Sequence, residues 1–203
     1  MKFYDKYILP RVVHIACSQN TISRQRQKII PLAEGRILEI GFGSGLNLPF
    51  YDTTKVKHLW ALDPSSEMRA ITTESIETLP FNFEFLLSSA EEIPLENNTV
   101  DTVVVTYSLC TIPDVMAALK EIRRTLKIGG IFLFCEHGKA PELHIEKWQY
   151  RLNPLWKKLA GGCNLNRFIP GLIKKSGLNI KKLETMYLPG WKPASFNYWG
   201  YAK

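Results

Sequence analysis

Short apolar runs, each followed by a glycine-rich or polar segment, recur along the middle of the chain. The runs predicted to be strands lie at residues 37–40, 58–63, 83–87, 101–106 and 131–135. The first is almost continuously apolar, which is typical of a parallel strand covered on both faces, and the fourth is also expected to be buried. Because segments with helical periodicity separate the runs, the pattern predicts an α/β domain. Residues 181–188 and 195–202 are predicted to be strands six and seven.

The helical segments carry recognisable start and stop signals. Helices are predicted at residues 21–31, 114–126 and 145–159, and from Pro64 to Leu79, and Arg24, Arg26 and Lys28 are expected to form the charged face of the one at 21–31. Asp114 is expected to cap the second of these, and Pro154 to interrupt the apolar face of the third. The N-terminal stretch is apolar and aromatic but punctuated by charge, and Pro10 divides it into two short helical pieces. We expect residues 1–34 to form a helical lid and residues 35–203 the main domain.

Composition and charge limit the class of protein. The 203 residues, 45% hydrophobic and 22% charged, suffice for one globular domain that buries roughly 70% of its unfolded surface. The net charge of +7 is concentrated in the second half, and it can indicate nucleic acid, an anionic membrane or simply solvated helix faces. No run of 18 apolar residues is present, so a soluble or membrane-peripheral protein is expected.

The cysteines give no sign of a metal or disulfide framework. Cys17, Cys110, Cys135 and Cys163 form no C-x-x-C pair and have no metal-ligand spacing. We therefore expect reduced thiols, no metal site and a cytoplasmic protein. Cys110 is expected to line a core or pocket rather than to act as a nucleophile.

The segment at residues 36–48 is predicted to be a strand that runs into a glycine-rich turn and then a helix. Gly41, Gly43 and Gly45 let the backbone approach a ligand closely. Dinucleotide folds use G-x-G-x-x-G instead, and here Glu39 also stands two residues before the first glycine. A carboxylate there would repel a pyrophosphate, so the turn suits a cationic ligand. A glycine turn without any ligand is the alternative.

This stretch resembles motif I of the class I S-adenosylmethionine (SAM) methyltransferases, E-x-G-x-G-x-G, and matches it at every position. The resemblance implies a Rossmann-like, doubly wound sheet of seven strands, mostly parallel with an antiparallel last strand. It also implies that SAM binds at the carboxyl edge of the sheet, where the strand order reverses. Glu39, the three glycines and Asn47 would then belong to the cofactor site.

Later strand ends are expected to complete this cofactor site. Asp63 ends the second strand, 22 residues after the first glycine, where a carboxylate can accept hydrogen bonds from both ribose hydroxyls. Pro64 follows it. Ser89, Ala90 and Glu91 resemble the family's D-A-E-x-L-P segment beside the adenine, although Ser89 replaces the acid that usually accepts from the adenine amino group.

The ends of strands four and five are expected near the reacting methyl group. Thr106 ends strand four. At this point the methyltransferases of nucleobase amino groups carry an N-P-P-Y-like tetrad, and those of cytosine C5 carry a Pro-Cys nucleophile. Neither follows Thr106, so no nucleic-acid partner is expected. Glu136 and His137 end strand five and are the predicted catalytic pair, for acceptor binding or proton removal. Holding a loop in place is the alternative for both. His14, with Tyr4 and Tyr7, could line the acceptor site or simply pack against the sheet.

The E-H pair, followed by W-Q, N-P-x-W and G-C-N-L, narrows the resemblance to a small-molecule branch of the class. This branch includes the mammalian microsomal thiol methyltransferases and bacterial relatives sometimes named phosphatidylethanolamine methyltransferases. It implies methyl transfer to a small apolar acceptor, a thiol or similar. One alternative is lipid amine methylation at a membrane surface, with Trp148, Trp156, Lys157 and Lys158 on a basic amphipathic helix. Another is a SAM-binding module without catalysis. The sequence does not indicate an oligomeric state.

Overall fold

The computed structural model describes residues 4–67 and 76–203, and within them seven strands form one sheet. The strands are β1 (Gly35–Ile40), β2 (Val56–Leu62), β3 (Asn82–Leu86), β4 (Val100–Thr106), β5 (Leu126–His137), β6 (Ile180–Tyr187) and β7 (Phe196–Ala202). Their order is β3-β2-β1-β4-β5-β7-β6, and β7 runs antiparallel to both of its neighbours. The predicted doubly wound, mostly parallel sheet with an antiparallel last strand is confirmed.

Helices pack against the sheet, and some of them precede its first strand in the chain. They are α1 (Leu9–Cys17), α2 (Asn20–Ile29), α3 (Val115–Thr125), α4 (Leu143–Leu159), α5 (Ile169–Lys175) and α6 (Lys192–Ser195). A π-helical turn at Tyr4–Ile8 precedes α1, and Pro10 lies in the first turn of α1, so the predicted two-piece division is confirmed. Asp114 caps α3, its Oδ1 atom accepting hydrogen bonds from the backbone N–H groups of Met116 and Ala117.

The central strands β1 and β4 are largely buried on both faces, as predicted. In β1, Ile37 packs with Leu59 and Val104 on one face, and its neighbour Leu38 packs with Val103 on the other. All five side chains are fully buried. Full burial of an aliphatic side chain stabilises the fold by about 1.5–3 kcal/mol, so these strands hold the ends that carry the site.

The helix predicted after the glycine turn does not form. Residues 41–47 are a series of turns, followed by a single 3₁₀ turn at Leu48–Phe50. The three glycines of the turn all have positive φ angles, between 58° and 78°, which is incompatible with a right-handed helix. The inward hydrogen bonds of Asn47 and Tyr51 then hold the chain against the sheet.

Two other boundaries differ from the prediction. Strand β5 begins at Leu126, directly after α3, and includes Gly129 at a φ of 84°, whereas it was expected to begin at residue 131. Helix α4 continues through Pro154 without a break. Pro154 lacks the N–H group that would donate to the carbonyl of Tyr150. Both residues lie on the exposed side of α4, where water can donate to that carbonyl instead.

The predicted apolar face of α4 is largely solvent-exposed. Trp148, Leu155 and Leu159 are each more than half exposed, and the buried residues of the helix are Ile145 and Gln149. None of the described helices has both the length and the hydropathy needed to cross a bilayer. The helix predicted from Pro64 to Leu79 lies mostly outside the described residues.

Candidate active site

A cavity of about 620 Å³ opens at the carboxyl edge of the sheet, where the chain order reverses between β1 and β4. That position is where open α/β sheets bind their ligands, and the volume is typical of a small-molecule site. Its lining includes eleven of the predicted site residues: Glu39, Gly41, Gly43, Asn47, Asp63, Pro64, Ser89, Ala90, Glu91, Thr106 and His14. The structure therefore brings together most of the cofactor site expected from the sequence.

The glycine turn forms the floor of the cavity. The N–H groups of Gly41 and Phe42 both donate to the carbonyl of Leu62 at the end of β2, at 2.8 and 3.2 Å. A Cβ atom on Gly41 would lie only 2.0 Å from Oγ of Ser108, so no side chain fits there. Gly45 does not line the cavity. It has a φ of 78° and shapes the turn instead.

A buried polar cluster surrounds Glu39, whose side chain is only 1% exposed. Its Oε1 atom accepts a hydrogen bond from Nδ2 of Asn47 at 2.9 Å, and its Oε2 atom accepts one from the hydroxyl of Tyr51 at 2.6 Å. The same Asn47 amide donates to Oγ1 of Thr106 at 3.0 Å. Burial raises the pKa of Glu39 to about 7, against the lowering effect of these hydrogen bonds. The cluster joins the ends of β1 and β4.

Arg26, on α2, lines the cavity. The sequence pattern predicted it as part of the charged face of that helix. Its side chain is 4% exposed, and its guanidinium donates to the carbonyl of Cys17 at 2.6 Å and lies over the ring of Tyr107. Its Nε atom has no hydrogen-bond partner among the described residues. The structure thus corrects the prediction: this is a buried cation facing the cavity, with one donor unused.

Asp63 lies at the tip of β2 and is 7% exposed. Its two carboxylate oxygens accept hydrogen bonds from the N–H groups of Gly43, at 2.8 Å, and Ser65, at 2.9 Å. Burial raises the pKa of Asp63, and the two backbone hydrogen bonds oppose that rise. The carboxylate lines the cavity at the position expected for ribose binding.

The segment after β3 forms the next part of the wall. Ser89, Ala90 and Glu91 all line the cavity, and Ala90 is buried. Oε1 of Glu91 accepts a hydrogen bond from the N–H group of Asp114 at 3.1 Å, which ties this segment to the start of α3. The segment is therefore held in place by its own side chain.

Helix α1 covers the cavity from the N-terminal side. Leu9, Pro10 and Val13 give it an apolar wall, and Nδ1 of His14 lies 2.6 Å from Oγ of Ser44 on the glycine turn. Tyr4 does not line the cavity. Its hydroxyl donates to the carbonyl of Leu159 at 2.7 Å. The position of α1 fits the predicted lid, and the division of the chain at residue 34 stays a prediction.

The structure places Glu136 and His137 behind the cavity wall rather than on it. The fully buried carboxylate of Glu136 accepts hydrogen bonds from three consecutive N–H groups, those of Ser108, Leu109 and Cys110, at 2.7, 3.0 and 3.3 Å. Burial raises its pKa to about 7, even with these donors and the nearby His137. Glu136 thereby holds the loop after β4, the alternative role considered for it.

The comparisons with known proteins agree with this geometry. Residues 38–134 match the family described as "Methyltransferase domain". The chain is 32% identical over 170 residues to a thiol S-methyltransferase of Rattus norvegicus, covering 81% of this chain and 66% of that protein. It is 30% identical over 177 residues to a thiol S-methyltransferase of Homo sapiens, covering 85% of this chain and 72% of that protein. The chain belongs to the class I SAM-dependent methyltransferases.

Among solved structures, this methyltransferase resembles a SAM-dependent methyltransferase of Leishmania major with a TM-score of 0.71. The match covers 99% of this chain and 80% of that one at 16% identity, so it shows a shared fold. The methyltransferase chain spans about two thirds of the length of the two curated relatives.

Proposed function

We propose that this methyltransferase transfers the methyl group of SAM to the sulfur of a small, apolar thiol. The observation that supports the proposal most directly is that the cavity lining combines two kinds of residue. Polar residues of motif I and the strand ends line it, and so do the apolar side chains of Leu9, Pro10 and Val13 on α1. The named activity of the rat and human relatives favours a thiol as the acceptor.

The polar residues of the cavity lining fit SAM. Gly41 and Gly43 line the cavity without side chains, which lets a ligand approach the backbone of the turn, and Asp63 offers carboxylate oxygens where the ribose is expected. We assign the adenine to the segment at residues 89–91. The unused Nε donor of Arg26 suits the carboxylate of the methionine part, because a buried guanidinium binds carboxylates well. When bound, SAM supplies a methyl group activated by its sulfonium.

The chain then has to align the acceptor and exclude water. Leu9, Pro10 and Val13 provide an apolar surface against which an alkyl or aryl thiol can pack. Because most of this wall comes from one helix, its sequence would set the acceptor's shape and size.

A thiol acceptor must also lose its proton. Of the described residues that line the cavity, His14 provides the only imidazole. In the tautomer whose Nδ1–H donates to Ser44, the Nε2 atom is left as the proton acceptor, and we propose His14 in this form as the general base. The pair Glu136 and His137 stays the competing assignment, although neither lines the cavity.

A specific surface favours a second candidate, methylation of a lipid amine. Trp148, Tyr150 and Leu155 are exposed on α4, together with Arg151 and Lys158. Exposed aromatic and basic side chains on one helix are typical of peripheral membrane binding.

The two functions are separated by transfer of the labelled methyl group of SAM to an alkyl thiol in solution and to phosphatidylethanolamine vesicles, assayed side by side. A reaction without the protein serves as the blank. Label in the thiol alone supports the proposal, and label in the lipid alone overturns it in favour of the second candidate. Silence in both, with SAM binding retained in a separate calorimetric assay, would indicate a SAM-binding module without catalysis.

A further inference from the structure

Three side chains of the types that bind metal ions lie together just outside the cavity. They are Cys110, in the loop after β4, His137, the last residue of β5, and Cys163, in the loop after α4. Their two sulfur atoms and one ring nitrogen all lie within 4.8 Å of one another, and Nε2 of His137 is 3.0 Å from Sγ of Cys163. No regular spacing relates these residues in the sequence, which is why the cysteine pattern predicted no site.

We propose that Cys110, His137 and Cys163 form a binding site for one thiophilic metal ion of the zinc class. Two thiolates and an imidazole are a usual donor set for Zn²⁺, with a fourth position left for water or another ligand. In a tetrahedral zinc site the ligand atoms are about 3.5–4 Å apart, as follows from bond lengths of about 2.0–2.3 Å. Small movements of the side chains would bring the three donors to that separation.

The backbone around the cluster is already fixed in place. The N–H and the Nδ2 amide of Asn164 both donate to the carbonyl of Cys110 at 2.9 Å, which joins the two cysteine-bearing loops. Glu136 holds the N–H of Cys110 from the other side. A site whose ligands are positioned before the ion arrives loses less conformational entropy on binding.

The immediate surroundings also suit thiolate ligands. The indole N–H of Trp156 donates to Sγ of Cys163 at 3.3 Å, and such outer hydrogen bonds orient metal ligands and stabilise their charge. Two thiolates balance the charge of a divalent ion. Cys110 is buried and Cys163 is only partly exposed, so water would compete little for the ion.

An ion at this place would join three segments that lie beside the cavity. Thr111 follows Cys110 directly, Gly161 precedes Cys163 by two residues, and both line the cavity. The ion would thus fix the relative positions of the loop after β4 and the loop after α4. It is placed to set the shape of the acceptor site.

The test is a titration of the full-length, chelator-treated protein with Co²⁺ under a reductant that does not bind metal. Thiolate ligation gives a sulfur-to-cobalt charge-transfer band in the near ultraviolet, and Zn²⁺ should displace the cobalt. We expect one ion per chain in the wild type, and at least about 100-fold weaker binding in Cys110→Ser, Cys163→Ser and His137→Gln. Cys135→Ser is the matched control, a buried cysteine whose sulfur contacts the Tyr107 hydroxyl, and it should keep the band.

Circular dichroism and urea unfolding first establish which variants are folded, and the folded ones decide the outcome. Absence of a charge-transfer band in the wild type would overturn the proposal. So would equal binding in the wild type and in the folded ligand variants. Because neither SAM nor a thiol acceptor is part of the titration, its result is independent of the proposed methyl transfer.

Discussion

The carboxylate of Asp63 bonds the glycine turn of the neighbouring strand: its Oδ2 atom accepts a hydrogen bond from the N–H of Gly43 at 2.8 Å. Its other oxygen accepts from the N–H of Ser65 at 2.9 Å. One side chain therefore fixes two loops of the cavity and still presents carboxylate oxygen to it. The residue assigned to the ribose also helps to build the site.

Asp63→Ala should weaken SAM binding by about 10- to 100-fold, because a hydrogen bond to a charged group contributes about 1.5–3 kcal/mol. Isothermal titration calorimetry with SAM measures the change. Asp63→Asn, which keeps one acceptor oxygen, should lose less. Glu184→Ala, an exposed acid on β6, is the control and should bind as the wild type does. Unchanged affinity in Asp63→Ala would show that the ribose assignment is wrong.

Gly41→Ala should destabilise the fold far more than Gly129→Ala. Both glycines have positive φ angles, 70° and 84°, so both substitutions introduce backbone strain of about 1 kcal/mol. At Gly41 the new Cβ also meets Oγ of Ser108 at 2.0 Å, whereas at Gly129 it meets nothing within 4 Å. Overpacking typically adds about 1–3 kcal/mol.

Urea unfolding of both glycine variants checks this prediction, since the difference in the free energy of unfolding isolates the steric part. SAM binding should also be lost in Gly41→Ala and retained in Gly129→Ala. Equal destabilisation of the two would mean that the turn can move away from Ser108, and the cavity floor would not be rigid.

The sequence predicted the parts of the structure that depend on local pattern. Strand centres follow from apolar runs such as Ile37–Ile40, and the cap of α3 follows from Asp114, because burial and capping act within a few residues. Motif I likewise predicted Glu39 and Gly41 by residue type and spacing. Strand ends were less accurate, since pairing with neighbours decides where β5 begins.

Contacts between distant segments were not predictable in the same way. Tyr51 bonds to Glu39, and Arg26 faces the cavity although its helix is polar in sequence. Nothing in the local pattern of either residue distinguishes these roles from a solvated side chain. The inward position of Arg26 depends on contacts with Cys17 and Tyr107 that only the folded chain brings together.

Glu39 should make the stability of the cofactor-free protein fall as pH rises. Its pKa is about 7 in the folded protein and close to its ordinary value of 4.5 when unfolded. Between these values the folded state binds a proton that the unfolded state has released, so the free energy of unfolding decreases with pH. The contribution of Glu39 to the free energy of unfolding is complete below about pH 4.5, and up to about 3 kcal/mol of it is lost by pH 7 and above.

Glu39→Gln tests this effect, because it keeps the size of the side chain and one acceptor oxygen but cannot ionise. The difference between the wild type and Glu39→Gln in urea unfolding should favour the wild type more at pH 5 than at pH 8. Glu184→Gln, at an exposed position, should show no such trend. A difference that does not change with pH would mean that Glu39 keeps an ordinary pKa.

His14→Gln should lower kcat/KM for a thiol acceptor by about 100-fold, the typical contribution of a general base. The loss should be smaller for a more acidic thiol, which needs less help to release its proton. Ser44→Ala removes the partner of Nδ1 and should lower kcat/KM by less than His14→Gln does. His144→Gln, an exposed histidine on α4, is the matched control and should leave kcat/KM unchanged.

The same assay separates the two assignments of the base. If kcat/KM falls in His137→Gln and not in His14→Gln, and the fall is smaller for a more acidic thiol, the proton leaves through Glu136 and His137, and the loop after β4 must move to admit the acceptor to them. If it falls in this way only in His14→Gln, helix α1 contributes directly to the chemistry. Acceptor specificity should then change with Leu9 and Val13, because they share the helix and the cavity wall with the base.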